Sequence, residues 1–457
     1  MNATQKNLRT FYAIIGTQTL SIIGSRLSGL AVGFEVFRQT GQATPLLLVS
    51  LFSLLPNIFA ANIGGVLADR WDRRKLMLVA DAGQALCSLL LLISFASGSF
   101  QIWHLYVLVI VGQVLASVQG PAFMASITML VPDEQRDRAN ALTQLSGPLA
   151  GIIAPILSGL LYAAIGVVGT IAIDLATFAA AAMVFMFVHI PMPSGAHAEA
   201  AAKDGVWRSF TTGFGFLWSR KPMLVLVMQF ALVNFCIGGA MGLEMAYTVS
   251  RTGSEQATGL ILGVSSVGGL IGGIIMSVWG GTRPRIHTIM PALIMGGTFL
   301  ALFGLAQSTL WLSVTVFLMM FPIAFVNAPV ISILQNKTPP ELQGRVFAVL
   351  SQISIVLMPI AYLLFGYLAD NVLEPAVGTA DWARYAPLFG SGQGSGMAVI
   401  FFACGVLMTV SSVLAYMLPM VRKMEATLPD YEAQATPDSE TGTADETREG
   451  LELAAAG

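Results

Sequence analysis

The sequence predicts an all-α polytopic membrane protein, with twelve transmembrane helices arranged in two pseudo-symmetric six-helix halves. Three observations carry that prediction. The 457 residues are 55% hydrophobic and only 11% charged, with a mean hydropathy of +0.74, whereas a soluble chain carries roughly a quarter charged residues. The apolar residues fall into twelve blocks, at 11–36, 45–67, 76–98, 103–124, 141–163, 168–190, 222–247, 257–279, 287–307, 309–332, 345–369 and 396–420. Each block is about 20 residues, the length a helix needs to cross the bilayer core. The third observation is internal repetition. Pro132-Asp-Glu134-Gln-Arg-Asp-Arg138 and Pro339-Pro-Glu341-Leu-Gln-Gly-Arg345 share Pro-x-Glu-x-x-x-Arg at an offset of 207, which also pairs Ala141 with Ala348 and Gly159 with Gly366. A second echo sets Gly33-Phe-Glu35, Arg38 and Thr40-Gly41 against Gly242-Leu-Glu244, Arg251 and Thr252-Gly253.

The division that follows is an N-terminal half over residues 1–190, a linker over 191–221, a C-terminal half over 222–420 and an acidic tail over 421–457. An even number of spans puts both termini on one side. Of the 23 lysines and arginines, Arg38, Arg251 and Arg384 fall on the opposite side and Arg26 lies within a span. The other 19 crowd the side of the termini, which the positive-inside rule makes cytoplasmic. The expected location is the bacterial inner membrane.

Span 1 follows Lys6 and Arg9, is too long for a signal-peptide core and reads as uncleaved. It carries Gln18, Ser21, Ser25, Ser28 and Glu35 at spacings of three and four, hence on one helix face. That face is suited to lining a watery cavity, with Arg26 turned about 100° away toward a neighbouring helix. Span 2 ends in Gly64 and Gly65, without bulk, and leads into Gly-Val-Leu-Ala-Asp-Arg-Trp-Asp-Arg-Arg-Lys over 65–75. Such a charge cluster sits at the water boundary. Asp69 is positioned to accept hydrogen bonds from a helix N-terminus and offset its dipole, and span 11 begins on the same side.

Arg26, Glu35, Asp81, Asp174 and Glu244 lie inside spans or at their edges, where ionisable groups are functional candidates and need partners. At about 1.5 Å per residue, Arg26 lies about 22 Å from the inner end of span 1 and Asp174 about 9 Å below the outer end of span 6. The two heights agree, so an Arg26–Asp174 pair is expected, as a structural ion pair or as part of proton coupling. Asp81, near the inner edge of span 3, is expected to pair with loop arginines. Glu35 and Glu244 are pseudo-symmetric mates, read either as proton carriers or as rim acids in water.

Gln18, Ser25, Gln113, Asn234 and Asn327 are the candidates for a substrate cavity. Asn57 and Gln119 belong to the same polar set, and interhelical hydrogen bonding is the alternative role for all of them. The 22 Met and 26 Phe, including Met319, Met320, Phe321 and Phe325, suit varied apolar substrates as well as plain packing. The linker opens on Pro191 and Pro193, then sets Trp207, Phe210, Phe214, Leu217 and Trp218 near one helical face among bases, as an interfacial helix would. Cys87, Cys236 and Cys404 stand singly in spans 3, 7 and 12, with no metal or disulfide spacing. The tail is too polar to bury a core and is expected to be disordered. Walker A, zinc and Gly-x-Ser-x-Gly patterns are absent, so an enzyme, a metal site and a cofactor are not expected. No basic nucleic-acid face remains.

The segment Gly65, Asp69, Arg70, Arg73, Arg74 resembles the loop between helices 2 and 3 of major facilitator transporters, with Asp72 in place of a family glycine. The resemblance implies that this loop latches the halves together, with Asp69 and Arg73 at its key positions. Gly147-Pro148, Gly151, Ala154-Pro155 and Ser158-Gly159 resemble, in degraded form, the Gly-Pro-rich helix 5 of the superfamily's exporters. The arginine expected in helix 4, three residues before Gln119-Gly120, is Ala116 here, so the drug–proton antiport mechanism does not transfer at that position. Across residues 8–420 the chain is similar to the third drug:proton antiporter group, which includes macrolide efflux proteins and the enterobactin exporter. The segments that carry this are Gly65–Lys75, Pro132–Leu142, Pro339–Phe347 and Leu368-Ala-Asp370 with Glu374-Pro375. The resemblance implies a monomer in the lipid bilayer that exports a bulky amphipathic compound by alternating access, against inward proton flow. A siderophore exporter or lysophospholipid carrier of the same fold is the alternative; a non-transporting sensor or a membrane enzyme is more remote.

Overall fold

The computed structural model describes residues 3–56, 73–132, 135–187 and 206–431. All of its regular structure is helical. α1 (Ala3–Thr40) ends at Gly41, whose positive φ of 64° lets its N–H turn back to the Phe37 carbonyl. α2 (Thr44–Pro56) follows at once. α3 (Arg73–Ala96) and α4 (Ile102–Leu130) come next, and then α5 (Arg136–Phe187), of 52 residues. A straight helix of that length would reach about 78 Å, far beyond the bilayer core of about 30 Å. α5 breaks instead at Gly166, whose φ of 69° and ψ of −175° leave the helical region. The break falls between predicted spans 5 and 6.

The linker contributes α6 (Val206–Ser219). The second half runs through α7 (Lys221–Thr252), α8 (Glu255–Trp279) and α9 (Ile286–Leu305). α10 (Thr309–Met320) and α11 (Ala324–Asn336) form one span joined by a 3₁₀ turn at Pro322. α12 (Pro340–Leu368) passes into a π turn over Ala369–Leu373, and α13 (Ser395–Met417) closes the bundle. Ser254 and Ser308 cap α8 and α10 by accepting the amides of Ala257 and Trp311. Among the described residues ten helices are long and apolar enough to cross a membrane, α5 with two predicted spans being counted once. The second predicted span appears as the shorter α2; its remainder, with Asn57, lies outside the described residues.

The tail departs from its expected disorder over its first residues. Lys337 is buried and donates to the carbonyls of Glu425 and Leu428 while pairing with Asp430 at 2.9 Å. The Tyr431 amide donates to Asn336, and the Arg220 guanidinium donates to the Tyr431 hydroxyl. These bonds fold residues 419–431 onto the second half, because a buried ammonium needs such acceptors. Residues 432–457 lie outside the described residues.

The packing of the halves differs between the two faces of the bundle. At the face opposite the termini, α1, α2 and α5 of the first half share one core with α7, α9, α12 and α13 of the second, through residues such as Phe34, Leu47, Tyr162, Leu243, Phe365 and Phe401. At the face of the termini the core separates. Phe11, Ile14, Met77 and Val131 form one cluster in the first half; Met223, Ile289, Ile333 and Val349 belong to another in the second. Among the described residues no buried apolar cluster joins the halves there. α5 and α8 cross closely between them. A Cβ on Gly159 would lie 2.4 Å from the Glu255 carbonyl oxygen, and one on Gly259 would lie 2.4 Å from that of Pro155, so only glycine permits this approach.

Candidate functional site

A cavity of about 410 Å³ opens inside the first half. Ser25 and Ser28 of α1, Ser50 and Ser53 of α2, Gln84 and Ser88 of α3, Gln113 of α4 and Asp174 of α5 contribute to its polar lining, and Met241 and Met245 of α7 line it from the other half. Asp174 is 2% exposed. Its Oδ1 accepts the Ser25 hydroxyl at 3.2 Å and its Oδ2 accepts the Ser88 hydroxyl at 2.9 Å. The expected Arg26–Asp174 pair is therefore not formed. The heights agree, but neighbours on a helix differ by about 100° in direction, and Ser25 is the residue that faces Asp174. Arg26 points to the first arm of α5, where its guanidinium meets the Gly147 carbonyl at 3.4 Å and lies beside Gly151, at the crossing with Ser266 of α8.

A second buried carboxylate, Asp81, is 1% exposed. Loop arginines are its expected partners; among the described residues it meets side-chain amides instead. Its acceptor oxygens are taken by side-chain amides, Gln119 at 2.6 Å and Gln18 at 3.4 Å. Gln119 in turn accepts from Gln84 at 2.7 Å, and Gln84 lines the cavity. Gln84 and Ser88 are four residues apart and share a face of α3. One polar track therefore runs from Asp81 through Gln119 and Gln84 to the cavity, and across it to Ser88 and Asp174. Sequence reasoning missed Gln84 and Ser88. The signal was present in the spacing of Asp81, Gln84 and Ser88 along an otherwise apolar helix. Among the described residues both carboxylates are held by neutral donors alone, so the site offers a place for a positive charge, either a proton or a cationic group.

The pseudo-symmetric glutamates have different surroundings. Glu35 accepts from Arg38 and Gln39 at 2.8 Å each and from the Tyr162 hydroxyl at 2.7 Å. It lines a separate cleft of about 650 Å³ with Arg38 and Glu255. Glu244 is 6% exposed and its Oε1 has no hydrogen-bond partner. Three residues on, where Glu35 has Arg38, Glu244 has Tyr247, whose hydroxyl serves the Phe303 and Gly304 carbonyls.

The substrate candidates divide in the same way. Ser25 and Gln113 line the Asp174 cavity, and Gln18 belongs to Asp81. Asn234 and Asn327 share a pocket of about 100 Å³ in the second half with Phe230, Pro322 and Met408, where the Asn234 amide donates to its own helix at Phe230. Of the loop residues, Gly65, Asp69 and Arg70 lie outside the described residues, and Arg73 and Arg74 open α3.

The sequence profile of the Major Facilitator Superfamily matches residues 14–362. The chain belongs to this superfamily. It is a multi-pass membrane transporter and not an enzyme. It is 27% identical over 368 residues to macrolide efflux protein A of Streptococcus pyogenes, covering 79% of this chain and 90% of that protein. It is 22% identical over 454 residues to the multidrug efflux pump Tap of Mycobacterium tuberculosis, covering 95% and 98%. Among solved structures it is similar to a bacterial homolog of the human lysosomal transporter Spinster in its inward-facing, unoccupied conformation, with TM-score 0.66 at 13% identity over 91% of this chain and 96% of that one. A bacterial homologue of the iron transporter ferroportin in its inward-facing state gives TM-score 0.66 at 14% identity, over 90% and 99%. At these identities the structural likeness speaks for the fold.

Proposed function

We propose that this chain exports a bulky amphipathic compound, of the macrolide or multidrug kind, across the bacterial plasma membrane by alternating access driven by inward proton flow. The observation that carries the reading is the asymmetry of packing. One apolar core spans both halves at one face, separate cores serve each half at the other, and a cavity lined by the buried Asp174 lies between these levels, with Asp81 joined to it through Gln119 and Gln84. The excess of bases on the face of the termini supports a cytoplasmic assignment for that face, so the described state is the one open to the cytoplasm. Efflux activity in the named relatives supports the substrate class. Asp174 and Asp81 are the residues we assign to the proton, and the Ser25–Gln113 cavity with its Met wall to the amphipath. Asp69 is the proposed latch of the cytoplasmic face in the alternate state. A single chain suffices, since both halves come from it.

The test is the purified chain in proteoliposomes holding a pH-sensitive dye, with an imposed proton gradient. Adding a macrolide is expected to release protons down the gradient in proportion to macrolide moved. Macrolide-independent proton leak, or macrolide movement without protons, contradicts coupled export.

A further inference from the structure

α2 starts with backbone N–H groups that its own first turn cannot satisfy. Pro45 has none to satisfy. Those of Leu46 and Leu47 turn back to the Ala43 carbonyl at 3.0 and 3.2 Å. The amides of Ala43 and Thr44 remain, and a single carboxylate from the other half takes both. Asp370 Oδ1 lies 2.9 Å from the Ala43 nitrogen, and Oδ2 lies 2.6 Å from that of Thr44. The backbones also meet here, since a Cβ on Gly366 would lie 3.3 Å from the Thr44 Cα.

The second half holds Asp370 in place before it reaches across. The carboxylate sits in the π turn that ends α12, a distortion that recurs at functional positions. One turn on, Glu374 accepts the amides of Gly394 and Met397 at 3.2 and 3.0 Å and so caps α13. Arg251 of α7 donates to the Phe389 carbonyl and to the Ser395 hydroxyl. The segment after α12 is thus fixed to α13, which Arg251 ties to α7, and Asp370 is its charged contact with the start of α2.

We infer that Asp370 is a positioning residue of the transport cycle, a clasp that holds the face opposite the termini shut while the other face is open. The physics favours a two-state device. A carboxylate on two helix-end amides is a charge-assisted, bidentate contact that also meets the positive end of the helix dipole. Separation of α2 from α12 gives both partners to water, so the contact is present in one state and absent in the other. The Asp69 latch proposed above would act in the alternate state, at the opposite face. The inference rests on the alternating-access reading above, and not on the identity of the substrate.

The test is hydrogen–deuterium exchange by mass spectrometry on the full-length protein in nanodiscs, without substrate. Asp370→Ala is expected to speed exchange in the peptide over 41–49 by about ten- to a hundredfold, the range for losing charge-assisted bonds. It is also expected to slow exchange at the starts of α5 and α12, as the opposite face closes. Unchanged exchange over 41–49 overturns the clasp. So does a rise there with no change at the starts of α5 and α12, the pattern of a cap with a merely structural role. Asp370→Asn keeps one acceptor and is expected to give a smaller shift in the same two regions; it decides the matter if the alanine variant fails to fold. If the wild-type chain moves no macrolide while Asp370→Ala still shows the reciprocal shift, the proposed substrate is lost and the clasp is kept.

Discussion

Asp174→Asn separates coupling from folding. The change preserves shape and removes the ionisable group. The hydroxyls of Ser25 and Ser88 now donate to Asp174 at 3.2 and 2.9 Å. With asparagine, Oδ1 keeps one donor, and the other hydroxyl rotates to accept from Nδ2. Each neutral hydrogen bond contributes about 1 kcal/mol net, so the fold loses at most about 1 kcal/mol. Asp174→Ala would instead leave two hydroxyls searching for acceptors, at about 1–3 kcal/mol for each one left unpaired. Asp174 is the one carboxylate among the described residues that lines the 410 Å³ cavity. The asparagine variant should therefore lose at least about tenfold in substrate-driven proton movement, as expected of an intramembrane coupling group. Downhill exchange of substrate should persist, because the amide still fills the wall. The assay is the dye-loaded proteoliposome, with thermal unfolding in detergent as the control for folding. Wild-type proton movement in Asp174→Asn would refute the assignment.

Two further outcomes follow from the geometry. Gly259→Ala places a Cβ 2.4 Å from the Pro155 carbonyl oxygen, so α5 and α8 must part by about 1 Å at a cost of about 1–3 kcal/mol, the usual range for overpacking. Its thermal midpoint should fall, and an unchanged midpoint would show that the crossing is looser than described. Asp69→Asn should keep expression and slow transport, because the proposed latch loses its charge; a wild-type transport rate would remove Asp69 from the mechanism.

Much of the fold was legible because bilayer thickness sets element length. The reversal at Gly166 falls in the predicted gap between spans 5 and 6, and the ends of α1 and α7 fall at the glycines of the Thr-Gly repeat. Depth was legible too, since rise per residue is fixed; Asp174 does lie level with the Arg26 region of α1. Azimuth was not. Which of two adjacent side chains faces a given neighbour depends on how helices are rotated in the bundle, so Ser25 took the place given to Arg26. For the same reason the sequence did not show that Asp81 meets Gln18 and Gln119. The Glu35–Glu244 pair shows the limit of repeat logic, since Glu35 meets Arg38 three residues on, whereas the Tyr247 hydroxyl three residues beyond Glu244 turns to the Phe303 and Gly304 carbonyls instead. Asp370 stood in a segment already quoted for its resemblance, yet its role required the start of α2, 326 residues away.

The claim that one face is shut while the other is open is tested most directly by distances between spin labels. One pair would replace Gln42 and Asp381, exposed at the shut face; the other would replace Arg138 and Glu341, exposed at the face of the termini. Measured by double electron–electron resonance in nanodiscs, the first pair should lengthen and the second shorten together when pH or substrate drives the cycle. Distances that stay fixed at both faces, or that change at one face alone, would contradict the account.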